Sequence, residues 1–339
     1  MFISIEGTDA SGKSSLVAEI AKQLKNEYPG FRINQFHKGK PDELTRQWVL
    51  NEYAVSIEKI NWFDELAVAD RWHWGEVTYA PLKRPETCVD EFGLLGVSGW
   101  RWVELFMASR GISQFWLYQP LDVITRRLES RGDDFVTSCD LDQILKLYGQ
   151  AASSALDVTK LTPNDLISDI EDLASSVILA AKRKTESVSI LKDFPKYIGS
   201  TSPKVLLIGN RSEDPSKTIL PFMPINDNFM PINDNSGEFL LSALPEALWR
   251  SVGIINAEDI YGLNLLKLIE VLGKPKIVAL GRLAERELRV SGVYEDMYTV
   301  LPHPEYVKRF HWQDEKEYGE AIQSFASTTP KGYEHWVLQ

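Results

Sequence analysis

The sequence predicts an α/β protein: a parallel sheet with helices on both faces, followed by a second, three-layer α/β domain. Three observations predict it. Short apolar runs of strand length alternate with longer helical stretches through residue 184. The rhythm stops over residues 185–203, "TESVSILKDFPKYIGSTSP", which end in Gly, Ser, Thr and Pro. It then resumes with "KVLLIGN" and continues through "PKIVALGRLAERELRV".

Phe2 to Glu6 alternates apolar and polar residues and runs into glycine, the pattern of a short strand. Gly7-Thr8-Asp9-Ala10-Ser11-Gly12-Lys13-Ser14 follows and fits G-x-x-x-x-G-K-[ST]. Its glycines let backbone N–H groups turn inward around phosphate oxygens. Lys13 reaches terminal phosphates, and the Ser14 hydroxyl suits Mg²⁺. A helix from Ser14 carries Leu16, Val17, Ile20, Ala21 and Leu24 on one face, and its N-terminus favours anions. Phe31 to Phe36 reads as a second strand, and "ELAVADRW" ends a third at Asp70. "SQFWLYQPL" gives a fourth, closed by Pro120, and "SALDVTKL" a fifth. "TPNDLISDIEDLASSVILAAKRK" is a long helix opened by Thr162 and Pro163.

Composition narrows the classes. The 339 residues, 44% hydrophobic, suffice for two cored domains. A formal charge of −11 argues against a broad basic nucleic-acid surface, though not against a small local one. Cys88 and Cys139 lie far apart and have no metal-ligand spacing, so a reduced, cytoplasmic protein is expected. No apolar run is long enough for a membrane span, and the first strand leaves no room for a signal peptide.

Four further features suit phosphoryl transfer. In "ADRWHWGEVTYAPL", Asp70 sits at a strand end, where it holds Mg²⁺ or accepts a proton, and Arg71 clamps an acceptor phosphate. Trp72, Trp74 and Tyr79 are placed to flank a base; a salt bridge with core tryptophans is the alternative. "RRLESRGDDF" includes Arg126, Arg127 and Arg131; of these, Arg127 and Arg131 lie four apart on one helix face and converge on a transferring group, unless that face is simply solvated. Asp9 lies inside the loop near an acceptor hydroxyl. "HKGKP" offers Lys38 and Lys40 as anion contacts.

Over residues 1–184 these features resemble the thymidylate kinase family: the loop with an acidic third residue, the Asp-Arg-aromatic triplet, and "WLYQPLDVITRRLESRGD", in that order. The resemblance implies a P-loop nucleotide kinase fold using ATP and Mg²⁺. Gly7, Ser11, Gly12, Lys13, Ser14 and Ser15 then bind ATP, and Ser14 and Asp70 serve the metal. Lys13, Asp70, Arg127 and Arg131 are catalytic, the two arginines belonging to a lid. Asp9, Arg71, Trp74, Glu76 and Tyr79 contact the acceptor. The short stretch before Asp70 and the tryptophan-rich "WHWGEVTYAPL" depart from the family on the acceptor side.

Residues 204–325 resemble the uracil-DNA glycosylase superfamily through "VLLIGN", "PF" at 221–222, "IINAED", "KIVALGRLAEREL" and "LPHPEY". By that resemblance Phe222 stacks on a base and His303 borders its pocket; a core phenylalanine and a helix-capping histidine are the alternatives. Where that superfamily carries a water-activating Asp, Glu or Asn, this sequence has "GNRSEDP", in which Asn210 is a weak candidate and Glu213 and Asp214 are displaced. No cysteine follows Cys139, so no iron–sulfur cluster is expected. "FMPINDN" occurs twice in tandem, at 222–228 and 229–235, as a surface-loop duplication would. The resulting domains are 1–184, a linker 185–203, 204–325, and a tail 326–339.

A thymidylate kinase-like half joined to a glycosylase-like half resembles the phage 5-hydroxymethyluracil DNA kinases. The expected acceptor is therefore a hydroxymethylated pyrimidine in DNA. A deoxynucleoside monophosphate kinase with an accessory base-binding domain is the alternative, and a non-catalytic ATP-dependent DNA-binding protein the third. No membrane partner is expected, and a dimer is the oligomeric state to test.

Overall fold

The structure is a computed structural model. It describes the chain apart from residues 40, 43, 56, 58–59, 61–63, 132–135, 164–165, 210–217, 221–222, 225–235, 261, 311–314 and 328–339. By its internal contacts the chain divides into two units: Met1–Gly96 with Arg110–Ser189, and Val97–Ser109 with Ile190–Gln339.

The first unit begins with β1 (Phe2–Glu6), α1 (Lys13–Glu27) and β2 (Arg32–His37). It continues through α2 (Arg46–Leu50), β3 (Glu65–Asp70) and α3 (Trp74–Lys83). After α4 (Gly96–Ser109) come β4 (Ser113–Leu117), α5 (Leu121–Arg131), α6 (Ser138–Ser154), β5 (Val158–Leu161) and α7 (Leu166–Ser187). The five strands form one parallel sheet in the order β2-β3-β1-β4-β5. Every residue of β1 is buried, as a central parallel strand requires. Leu16, Val17, Ile20 and Leu24 of α1 pack on Ile3, Ile5 and Val68, with Ala174, Val177 and Ile178 of α7 in the same core. Chain order reverses around β1, so the carboxyl ends of β1, β3 and β4 border the crevice where such sheets bind ligands.

Thr162 and Pro163, expected from sequence to open the long helix, lie outside it; its described residues begin at Leu166, and residues 164–165 lie outside the described residues. Strand pairing extends to Leu161, whose carbonyl accepts the Tyr118 N–H at 2.9 Å, and this holds the chain extended there.

The second unit has β6 (Ile198–Gly199), β7 (Val205–Gly209), and a small hairpin of β8 (Thr218–Leu220) with β9 (Met223–Pro224). Then follow α8 (Ser236–Ala243), α9 (Glu246–Trp249), β10 (Val252–Asn256) and α10 (Leu263–Val271). β11 (Lys276–Leu280), α11 (Arg282–Val290), β12 (Tyr298–Leu301), α12 (Pro304–Phe310) and α13 (Glu315–Ser327) complete it. The sheet order is β12-β11-β7-β10-β6, with β6 antiparallel to β10 and the other neighbours parallel. This is a doubly wound order whose reversal lies between β7 and β11. Leu206, Ile208, Ile255, Leu268, Ile277 and Leu288 lie in its core.

Residues 97–109 sit within the first α/β rhythm by sequence, yet they pack with the second unit. The buried Arg101 donates to the carbonyls of Leu241 and Leu244 at 2.5 and 2.6 Å and to Glu246 at 3.1 Å. Apart from Met223 and Pro224, the tandem repeat lies outside the described residues. Among the described residues no helix is long and apolar enough to cross a membrane.

Candidate active site

The loop from Gly7 to Ser14 leaves the end of β1 and enters α1. A Cβ on Gly7 would stand 2.6 Å from the Leu117 carbonyl oxygen, and Gly12 is left-handed at φ 98°, so both positions require glycine. Lys13 is buried and donates from Nζ to the Thr8 carbonyl at 2.6 Å. Burial, aided by the Arg71 charge, lowers its pKa to about 8. Phosphates in the loop would restore the lysine's preference for charge.

Register brings together the two residues expected to serve a metal. Asp70 ends β3 beside Ile5 of β1, and the Ser14 hydroxyl donates to its Oδ2. Asp70 Oδ1 is buried with no hydrogen-bond partner. One carboxylate and one hydroxyl, with an oxygen to spare, fit Mg²⁺, which takes its other oxygens from phosphates and water. Bound there, the metal would neutralise phosphoryl charge.

Lys13, Ser14, Ser15, Asp70, Arg127 and Arg131 all border one cavity of about 610 Å³. Ser11 is buried beneath it, and its carbonyl accepts from Arg127 Nη1 at 3.3 Å. Arg127 and Arg131 thus face the loop from α5, as their spacing predicts. Arg126 instead pairs with Asp122 on the exposed side of the same helix. His37, absent from the sequence expectations, also borders the cavity; its Nδ1 is 3.7 Å from Asp70 Oδ2. Its signal was its position as last residue of β2, in register with Asp70.

On the acceptor side, Arg71 Nη2 donates to Asp9 Oδ1 at 2.6 Å, and the Tyr79 hydroxyl donates to Asp9 Oδ2 at 2.7 Å. The Arg71 guanidinium lies over the Tyr79 ring, 4.5 Å from its centroid. Burial works to raise the Asp9 pKa, but Arg71, Lys13 and Tyr79 outweigh it and hold the carboxyl below its usual range. Arg71 also borders a second cavity of about 200 Å³, with Tyr79, Glu76, Arg84, Lys83 and Gly75. Glu76 is buried and ion-paired with Arg84 through Oε1, and burial raises its pKa against the pull of Arg84.

Two expectations on this side are corrected. Trp74 is fully buried, donating from Nε1 to Gln114 at 3.0 Å, and Trp72 is a core residue packed on Phe2 and Phe36. Neither ring is presented to a base, because the short strand-to-helix connection turns both into the core. Lys38 is ion-paired with Glu52 and lies over Trp72, while Lys40 lies outside the described residues.

In the second unit, His303 follows β12, and its carbonyl accepts the N–H groups of Tyr306 and Val307 at the start of α12. Its Nδ1 accepts from the Glu305 N–H at 3.2 Å, and burial lowers its pKa. It therefore caps a helix at the carboxyl edge of the sheet. Phe222, Asn210, Glu213 and Asp214 lie outside the described residues.

No family model matches the chain. It is 26% identical over 153 residues to the SPbeta prophage-derived uncharacterized protein YorR of Bacillus subtilis (strain 168), spanning 45% of this chain and 82% of that protein. The crystal structure of YorR in complex with phosphorylated GDP aligns with a TM-score of 0.42 at 20% identity, covering 55% of this chain and 98% of YorR. Deoxyadenosine kinase from M. mycoides with bound dCTP aligns with a TM-score of 0.36 at 15% identity, covering 53% of this chain and all of that one. The loop, sheet order and converging arginines make the first unit a P-loop, nucleotide kinase-like α/β domain. The second unit is a separate α/β domain with a mixed sheet.

Proposed function

We propose that this chain is an ATP-dependent phosphotransferase whose acceptor is the hydroxyl of a hydroxymethylated pyrimidine, 5-hydroxymethyluracil, in DNA. The observation behind the kinase reading is the junction of the two cavities at Arg71. Lys13, Ser14, Asp70, Arg127 and Arg131 border the larger one, and Glu76, Tyr79 and Arg84 the smaller. An acceptor held in the smaller cavity would meet the γ-phosphoryl group beside Arg71. The acceptor oxygen bonds to phosphorus, the bond to the β-phosphate oxygen breaks, and the hydroxyl proton leaves to water. Lys13, Arg127 and Arg131 act by stabilising charge spread over the phosphoryl oxygens.

The DNA acceptor is supported by the second unit's resemblance to base-extruding enzymes. There Phe222 would stack on the base and His303 would border it. The formal charge of −11 favours a free deoxynucleotide instead, and this is the second reading. The deciding experiment offers radiolabelled ATP and four acceptors: dTMP, hydroxymethyl-dUMP, thymine DNA and hydroxymethyluracil DNA. Label entering only hydroxymethyluracil DNA supports the proposal. Label in a mononucleotide alone selects the second reading, and no transfer to any acceptor overturns the kinase assignment.

A further inference from the structure

We infer that Glu6 is a positioning residue that holds the acceptor arginine, Arg71, in its working orientation. The inference rests on the kinase reading for its consequence, but the tether itself is a property of the fold.

Glu6 is the last residue of β1, immediately before the first loop glycine, and is fully buried. Its Oε1 accepts the Trp72 backbone N–H at 2.8 Å and the Ser4 hydroxyl at 3.0 Å. Arg71, between Asp70 and Trp72, has φ 70°, a left-handed backbone that strains any residue with a Cβ. Such a conformation persists only where its surroundings hold it. Here the Arg71 N–H donates to the Ile5 carbonyl at 2.9 Å and the next N–H donates to Glu6. Two consecutive residues of β1 therefore grip two consecutive amides of the turn.

The grip has a directional result. Asp70 points to Ser14, Arg71 to Asp9, and the Trp72 ring into the core, where Nε1 donates to the Tyr53 carbonyl at 3.1 Å. Relaxing Arg71 to an ordinary right-handed or extended backbone would swing its side chain away from Asp9. Since Glu6 adjoins Gly7, one carboxyl links the phosphate loop to the acceptor clamp. Its role needs a hydrogen-bond acceptor rather than a charge, so glutamine should serve.

The experiment compares full-length wild type with Glu6→Ala and Glu6→Gln, alone and in an Arg71→Ala background. Amide exchange over residues 69–73 reads the tether, and steady-state kinetics on the best acceptor reads its consequence. Glu6→Ala should speed exchange there and raise the acceptor KM about 10–100-fold, the range for leaving a buried N–H without its acceptor. The KM for ATP should change less than about threefold, and Glu6→Gln should restore most of both readouts. In the Arg71→Ala background Glu6→Ala should add little, because the two act as a unit. Unchanged exchange in Glu6→Ala, equal rises in both KM values, or full additivity with Arg71→Ala each overturns the inference. If wild type phosphorylates nothing, the kinase reading falls, and the exchange data alone decide the tether.

Discussion

Replacing Lys13 by methionine should make the unliganded protein more stable while nearly abolishing transfer. The lysine is buried, and its pKa falls from 10.5 to about 8. At ~1.36 kcal/mol per unit, holding it charged at pH 7 costs the folded state roughly 3 kcal/mol. Methionine keeps the apolar stem and removes that cost. It forfeits the hydrogen bond to Thr8, worth about 1 kcal/mol net, but the Thr8 carbonyl still accepts the Ser11 N–H at 3.3 Å. The expected gain is about 2 kcal/mol, a rise of ~4–8 °C in Tm for a unit of this size. Calorimetry without nucleotide at pH 7 measures it. Because the folded pKa lies below the unfolded one, the unfolded chain binds the proton more tightly. Wild-type stability therefore rises with pH between about 8 and 10.5, and the variant's advantage should fade across that window. Saturating ATP should reverse the order, since wild type gains ~2.7 kcal/mol at a hundredfold excess over Kd. Transfer should fall by ~10²–10³. An unliganded variant no more stable than wild type at pH 7 refutes the argument that burial strains this lysine.

Alanine at Arg127 or Arg131 should lower kcat more than it raises the KM for ATP, because charge on the phosphoryl oxygens is redistributed during transfer; initial rates over an ATP series separate the two. Asp9→Asn should lose stability relative to wild type at neutral pH. The difference should persist down to the ordinary carboxyl value of 3.8 and vanish as pH falls through the lower folded value, as acid unfolding would show. A chain cut after Ser189 removes the Leu241 and Leu244 carbonyls that pair Arg101, whose side chain is only 8% exposed. The same cut uncovers the apolar face with which residues 97–109 pack in the second unit, so the fragment should aggregate or melt well below the full chain; equal melting temperatures would contradict this.

Much of the geometry of the proposed donor site was legible because it is local. The loop's glycines, Lys13 and Ser14 lie within eight consecutive residues, and backbone geometry alone turns that spacing into a phosphate cradle. Arg127 and Arg131 were legible for the same reason, since helical periodicity puts them on one face. The acceptor side was misread where it depended on packing. An Asp-Arg-aromatic triplet says that aromatics follow a strand, but not whether they face a ligand or the core. Trp72 is turned inward after the left-handed turn at Arg71, with Glu6 holding its amide, and Trp74 is held inward by its hydrogen bond to the buried Gln114.

The sequence by itself determined the phosphate loop, the strand–helix alternation of the first half, and the amphipathic faces that cover its sheet, because each is set by neighbours within a few residues. Only the tertiary structure decided which distant residues meet. Strand register set Asp70 and His37 beside the loop, the first cavity gathered Arg127 and Arg131 around Lys13, and the second joined Glu76 and Arg84 to Arg71. It also gave residues 97–109 to the second unit, since Arg101 finds its partners 140 or more residues further on. Those contacts depend on the closure of long loops, whose outcome is set by the packing of the whole core and carries no local signal.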